Sequence, residues 1–275
     1  LVPRINVAGA RYCAAVRKIG LRHWSLALAA GRLTLVAMID LVPAPATLPP
    51  GQRVYAVGDV HGCFERLVEM HEHIAADLAE RPIEHAALVH LGDYVDRGME
   101  SAQVVEWLLA GPPVPVQLLV NLMGNHEQMM LAAIAQVDKD AGELWLRNGG
   151  ADSLMSWGVS RTVAQKDWAS RIPVPHILFL RDLVLHHRIG PYLFVHAGIR
   201  PGVPVMQQTR QDLLWIREPF LSSKQDHGVV VVHGHSPRRE PYVGNNRIGI
   251  DTGAVIGGAL TCVVLEADTL GFLHT

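Results

Sequence analysis

Two aspartates three residues apart, Asp93 and Asp96, follow an apolar run that ends at Gly92, and Arg97 comes directly after the second. Carboxylates at the end of a buried strand repel each other and lose hydration unless positive charge lies among them. Similar polar clusters recur along the chain. Asp59 and His61 stand in GDVHG (58–62), Asn125 and His126 in GNHE (124–127), His196 in HAG (196–198) and His235 in HGHSP (233–237). Asp59, His61, Asp93, Asn125, His196 and His235 offer oxygen and imidazole nitrogen but no thiolate, a set that suits Mn, Fe or Zn rather than a sulfur-built structural site. Six donors are too many for one tetrahedral ion and suit two divalent ions sharing a bridging carboxylate. Such pairs lie about 3.5–4 Å apart in two-metal hydrolases, where they clamp the oxygens of an in-line displacement.

The elements that would position these residues are legible from their pattern. Apolar, β-branched runs at 53–57, 86–91, 115–120, 192–195, 229–232, 247–250 and 260–265 have the length of buried strands. Helical spacing over 64–78, 100–110 and 127–137 lies between or after the early ones; in the first, Phe64, Leu67, Val68, Ile74, Ala75 and Leu78 share a face. Strand, loop and helix repeated in this way predict an α/β core with crossover connections. The later strands arrive with less helix between them, which predicts a mixed or second sheet. Nearly every strand ends in one of the polar loops, and α/β folds bind ligands beyond the carboxyl ends of their strands. Gly58, Gly92 and Gly124 each precede a ligand-bearing turn, where the missing Cβ permits a sharp bend and close approach to an ion.

Composition narrows the partners. The chain has 275 residues, 49% hydrophobic and 18% charged, with a formal net charge of −2. That balance gives no reason to expect nucleic acid or an anionic membrane as partner. Three widely spaced cysteines make no disulfide framework and point to a reducing cytoplasm. Arg17, Lys18, Arg22 and Arg32 precede an apolar stretch at 33–42, the pattern of a signal peptide or anchor, but Arg32 and Asp40 interrupt the run, and it falls short of the roughly 20 residues of a spanning helix; a packed or docked extension is the competing reading. We read residues 1–50 as an extension ending in a proline-stiffened linker (43–51, PAPATLPPG), and 51–275 as the catalytic domain.

GDVHG, GDYVDRG (92–98) and GNHE, in this order and spacing, resemble the signature of the phosphoprotein phosphatase family of metallophosphoesterases. HAG, HGHSP and IDTGA (250–254) are similar to its downstream elements, especially in bacterial and bacteriophage lambda-type members. The resemblance covers roughly residues 52–268. It implies an α/β (α+β) metallophosphatase fold of four layers, with two mixed sheets packed face to face and flanked by helices. It also implies two divalent ions, Mn first and Fe or Zn as alternatives. Asp59 and His61 would hold one ion, Asp93 would bridge, and Asn125, His196 and His235 would complete the other. His235 is favoured over His233 because its GHSP context matches the family turn. A hydroxide bridging the metals would attack phosphorus directly.

Two further supports are then needed. Arginine's planar fork bonds two phosphate oxygens at once; Arg97 fits, and by resemblance so does Arg217 in DLLWIREPF. A leaving alkoxide needs a proton, which a histidine held as imidazolium by a carboxylate supplies. His126 would be that acid and Asp96 its partner. Blander readings compete at some positions: Arg97 as an ion-pair partner of Asp96, Arg217 as a partner of Glu218 or Asp212, Cys63 as a small buried hydrophobe, and His71, His73, His85, His186 and His187 as surface or core. Arg238 and Arg239 would touch an acidic substrate or simply lie on a solvated turn. The function implied is a phosphomonoesterase of the serine/threonine protein phosphatase type, acting on a phosphorylated protein or small phosphoester. The alternative is a symmetrical dinucleoside tetraphosphatase, whose members typically carry GNHD and lack the DRG form. A non-catalytic binding module would have lost a ligand or the acid, and none is missing. Segment 138–182 would cap one side of the cleft and carry selectivity.

Overall fold

Alternate residues of a strand point to opposite faces, so a run that is apolar throughout forms a strand covered on both sides. The computed structural model describes residues 39–136, 140–160 and 162–275. The basic residues noted above and most of the apolar stretch at 33–42 lie outside it. The first half of the described chain supplies β1 (Val42–Pro43), β2 (Gln52–Val57), β3 (His85–His90) and β4 (Leu118–Asn121). The second supplies β5 (His186–Ile189), β6 (Tyr192–Val195), β7 (Val230–His233), β8 (Tyr242–Val243), β9 (Arg247–Gly249), β10 (Thr261–Glu266) and β11 (Thr269–His274). One sheet runs β1-β11-β10-β2-β3-β4, parallel at β2–β3 and β3–β4. The other runs β5-β6-β7-β9-β8, parallel at β6–β7 and β7–β9.

Val54, Ala56, Val89 and Val263 of the first sheet share a buried cluster with Phe194, Val232 and Ile248 of the second, which packs the sheets face to face. The intervening Tyr55, Val57, Leu88 and Val264 face the helices α1 (Phe64–Glu80) and α2 (Ser101–Ala110) through Leu67, Met70, Ile74, Val104 and Leu108. On the far side Leu193, Val195 and Val231 meet Leu213, Ile216 and Phe220. Each such fully buried side chain contributes roughly 1.5–3 kcal/mol. The four-layer α/β architecture expected from the sequence is therefore present. Helices α3 (Asn125–Ile134), α4 (Ala141–Trp145), α5 (Ala151–Ser156), α6 (Val174–Arg181) and α7 (Arg210–Trp215) follow along the chain.

Several boundaries differ from expectation for physical reasons. The strand read at 115–120 begins only at Leu118, because Pro115 has no N–H and the Val116 N–H turns back to Val114 O at 2.8 Å. The helix expected from 127 begins at Asn125, where the Glu127 carboxylate accepts the Gly124 N–H at 2.8 Å. The described part of the proline-rich stretch does not swing free. Ala44 and Leu48 donate N–H bonds of 2.8 Å to Asp268 O and Ala267 O, and Leu48 is 1% exposed between the sheets. Strand β11, between β1 and β10, had no advance signal, since a glycine interrupts its alternation. Among the described residues no helix is long and apolar enough to cross a membrane.

His71 and His90 turn out to be core groups in one directional chain. The Trp107 indole N–H can only donate, so His71 Nδ1 accepts it at 2.8 Å. His71 Nε2 then donates to His90 Nε2 at 2.8 Å, and His90 Nδ1 to Asn121 Oδ1 at 2.7 Å. Both rings must be neutral, and burial lowers His71 to about 2 and His90 to about 4. The unfolded chain, with histidines near 6.5, binds protons that the folded chain refuses, so stability is full above about pH 6.5 and falls as pH drops toward 4. Each histidine adds about 1.4 kcal/mol per pH unit to that slope. Urea unfolding between pH 7 and 5 should give His71→Asn a slope shallower by one proton; an unchanged slope would count against a neutral His71.

Candidate active site

Strand ends deliver the site. β2 runs into residues 58–62, β3 into 91–98, β6 into 196–198 and β7 into 234–237, while α3 opens directly on Asn125 and His126. The turns are so tight that His61, Asp93, Asp96, Arg97 and His235 all have left-handed backbones, with φ of 45, 52, 75, 69 and 63°. Each such residue costs about 1–2 kcal/mol and needs its surroundings to hold it. The Val60 and His61 N–H groups both donate to Asp93 O, at 3.1 and 2.8 Å. Gly124 answers for the approach of α3: a Cβ there would lie 2.1 Å from Asp93 Oδ1.

Donor atoms converge on Asp93. Its Oδ2 lies 3.5 Å from His61 Nε2, 3.3 Å from His196 Nε2 and 4.0 Å from His126 Nε2. Asn125 Oδ1 lies 2.9 Å from both His196 Nε2 and His235 Nδ1. Two sets, His61–Asp93–His126 and Asp93–His196–His235, each hold their ligand atoms within 4.8 Å of one another. Asp93 belongs to both, as a bridging carboxylate must. Asp59 falls in neither set but is buried beside them, its carboxylate accepting the His235 N–H at 3.0 Å. His233 turns away: its Nδ1 bonds Gly234 O at 3.0 Å and its Nε2 faces Arg247 at 3.3 Å.

The electrostatics of this cluster call for cations. Burial, Asp251 and Asp93 push Asp59 well above the usual carboxylate range. Burial works against Asp93 too, but His196, His126 and His61 hold it well below that range. His196, although buried, is raised to about 10 by Asp93, with Asp59 and Glu127 adding to the pull. Burial lowers His61 and His235 to about 3, which keeps both imidazoles neutral, the form that ligates a metal. Oxygen and neutral nitrogen donors around a shared carboxylate, in excess negative charge, fit a pair of divalent ions.

The remaining residues flank this centre. His126 Nδ1 lies 2.7 Å from Asp96 Oδ2. Burial disfavours its charged form, but Asp93 and Asp96 outweigh that and raise it. The Arg97 guanidinium does not pair with Asp96; its nitrogens lie 2.9 Å from His61 Nε2 and 3.1 Å from His126 Nε2. Arg217 is exposed and donates to His235 O at 3.4 Å. Its suggested acidic partners are engaged elsewhere, Asp212 by Arg200 and Glu218 by Ser222. A groove of about 890 Å³ runs past Met129, Leu144, Arg147 and Trp215, and of segment 138–182 only residues between 140 and 147 line it.

Sequence reasoning missed Glu127 as a structural group. Its fully buried carboxylate accepts N–H bonds from Gly124 and Asp93 on one oxygen and from Tyr94 and Val95 on the other, at 2.7–3.2 Å. The signal was available, since an acid at the third helical position is a cap.

Residues 52–256 match the calcineurin-like phosphoesterase family model. The chain is 31% identical over 234 residues to serine/threonine-protein phosphatase 1 of Salmonella typhimurium, covering 78% of this chain and 93% of that protein. It is 27% identical over 230 residues to the asymmetrical bis(5'-nucleosyl)-tetraphosphatase PrpE of Halalkalibacterium halodurans, covering 75% and 87%. This nucleotide-cleaving relative is of the asymmetrical class, where the sequence reading weighed the symmetrical one. A cold-active protein-tyrosine phosphatase of a Shewanella species, at 18% identity, shares the fold with a TM-score of 0.52 over 83% of each chain. With Asp93 common to two donor sets, and with the family model and the Salmonella relative each matching most of its length, the chain belongs to the calcineurin-like phosphoesterases, hydrolases that work at a binuclear divalent metal centre.

Proposed function

We propose that this chain is a serine/threonine protein phosphatase, with residues 51–275 as its catalytic domain, working in the cytoplasm. Asp59 and His61 would hold one ion and Asn125, His196 and His235 the other, with Asp93 shared; Mn would serve in vitro, with Fe or Zn as alternatives. When bound, the ions supply positive charge to the phosphoryl oxygens and acidify water at neutral pH. The chain's own groups do the rest. Arg97 presents its fork into the space between His61 and His126 and takes two phosphoryl oxygens there. Arg217, beside the His235 carbonyl, approaches from the other rim.

The observation that carries this reading is the His126–Asp96 pair beside Asp93. With Nδ1 committed to Asp96 at 2.7 Å, His126 offers Nε2 to the leaving oxygen, and Asp96 supports the imidazolium even when cations offset the charge of Asp93. An alkoxide leaving from phosphoserine needs that proton. The 31% identity to the Salmonella phosphatase supports the same substrate class. The tetraphosphatase reading is supported by the Halalkalibacterium relative. Metal-stripped protein with and without Mn²⁺, given a phosphoserine peptide and diadenosine tetraphosphate side by side, separates the two. We expect Mn-dependent phosphate release from the peptide. Cleavage of the nucleotide alone would transfer the same metal centre to nucleotide hydrolysis.

A further inference from the structure

The stretch WLRNGGADS (145–153) reaches beneath the loop that carries Asp96 and Arg97. The Trp145 indole N–H lies 2.9 and 3.0 Å from the two Asp96 carboxylate oxygens. The Ser153 hydroxyl donates to Asp96 Oδ1 at 2.7 Å and accepts the Asp96 N–H at 2.8 Å. Ser101, at the start of α2, is a second acceptor for that N–H at 3.1 Å. One turn away, Gly149 O accepts the Arg97 N–H at 3.3 Å. Gly149 has φ of 102°, and a Cβ there would lie 2.7 Å from Arg97 N, so the approach requires glycine. Asp96, Trp145, Ser153 and Ser101 are all fully buried.

These bonds do more than fill hydrogen-bonding capacity. An aspartate carboxylate rotates about its last torsion unless both oxygens are held. His126 holds Oδ2 of Asp96, Trp145 spans both oxygens and Ser153 fixes Oδ1. The backbone beneath is left-handed at both Asp96 and Arg97, and Ser153 and Gly149 tie down the N–H of each. We infer that Trp145 and Ser153 are positioning residues that fix the plane of the Asp96 carboxylate and so aim His126, and that segment 145–153 links the proton donor to the substrate-holding arginine through one rigid support. The inference rests on His126 acting as general acid.

The test compares variants on two phosphoesters, p-nitrophenyl phosphate, whose leaving group needs little protonation, and a phosphoserine peptide, whose alkoxide needs it. Trp145→Phe keeps an aromatic ring in the cluster and removes the N–H bond to the charged acceptor, together with part of the buried indole volume. We expect kcat to fall about tenfold on the peptide and about twofold on p-nitrophenyl phosphate, with KM and bound metal near wild type. Ser153→Ala should show the same skew, and carries the test if Trp145→Phe loses the fold. His126→Asn is the control. If it is skewed and both positioning variants lose activity equally on both substrates, the positioning role is overturned while the acid stands. If His126→Asn itself is not skewed, the acid reading falls and this inference with it.

Discussion

Asp93→Asn is expected to lower turnover by about 10³-fold or more, corresponding to at least about 4 kcal/mol of transition-state stabilisation, and to strip the protein of bound metal. The substitution keeps size and nearly keeps shape, so packing is not the cause. Asp93 is the one group common to both donor sets, with its Oδ2 3.5 Å from His61 Nε2 and 3.3 Å from His196 Nε2. An amide has one acceptor oxygen and no charge, so neither set retains its shared anion. His196 also loses the neighbour that raises it most, to about 10. The charge balance of the cluster is thereby rewritten. The measurement is metal content per chain after dialysis against Mn²⁺, alongside phosphate release. Wild-type-like rates in the variant, or in wild-type protein stripped of metal, would overturn the two-metal centre.

What the sequence made legible depended on local pattern. Asp59, His61, Asp93, Asn125, His196 and His235 could be collected because each follows a strand or opens a helix within a few residues, and strand-end loops converge in this class of fold. The choice between His233 and His235 was not a matter of period. Residues two apart on a strand share a face, yet β7 stops at His233 and the backbone reverses hand at His235, with φ of 63°. That break sends one ring to Arg247 and the other to Asn125. Trp145 and Ser153 reach Asp96 across 49 and 57 residues, and no local periodicity records such a contact. Nor does composition show that a proline-rich stretch docks on a sheet edge: prolines stiffen a chain, but the carbonyls of Ala267 and Asp268 decide where it lies.

Glu127→Gln tests the least visible part of the site. In the wild type, burial and the charge of Asp93 push this carboxyl up to about 7, while the N–H groups of Gly124 and Val95 pull it back. One Glu127 oxygen accepts from Gly124 N and Asp93 N, the other from Tyr94 N and Val95 N, and the residue is fully buried. Two strand-end loops are thus fastened to the first turn of α3 through a single side chain. Glutamine supplies an acceptor for only one of these two sets. Its NH₂ meets the other set donor to donor, leaving buried N–H groups without partners. The loss is about 3 kcal/mol, which lowers the melting temperature by about 6–12 °C in a domain of this size. The bonds that fail include those holding Asp93 in its left-handed turn, so metal content and turnover should fall with stability, the rate by at least about tenfold. Thermal melting of the Mn-loaded variant, with phosphate release measured well below its midpoint, separates the two effects. A melting temperature within about 2 °C of wild type would show that the clamp adds little to folding, and a wild-type rate would show that Asp93 keeps its place without it.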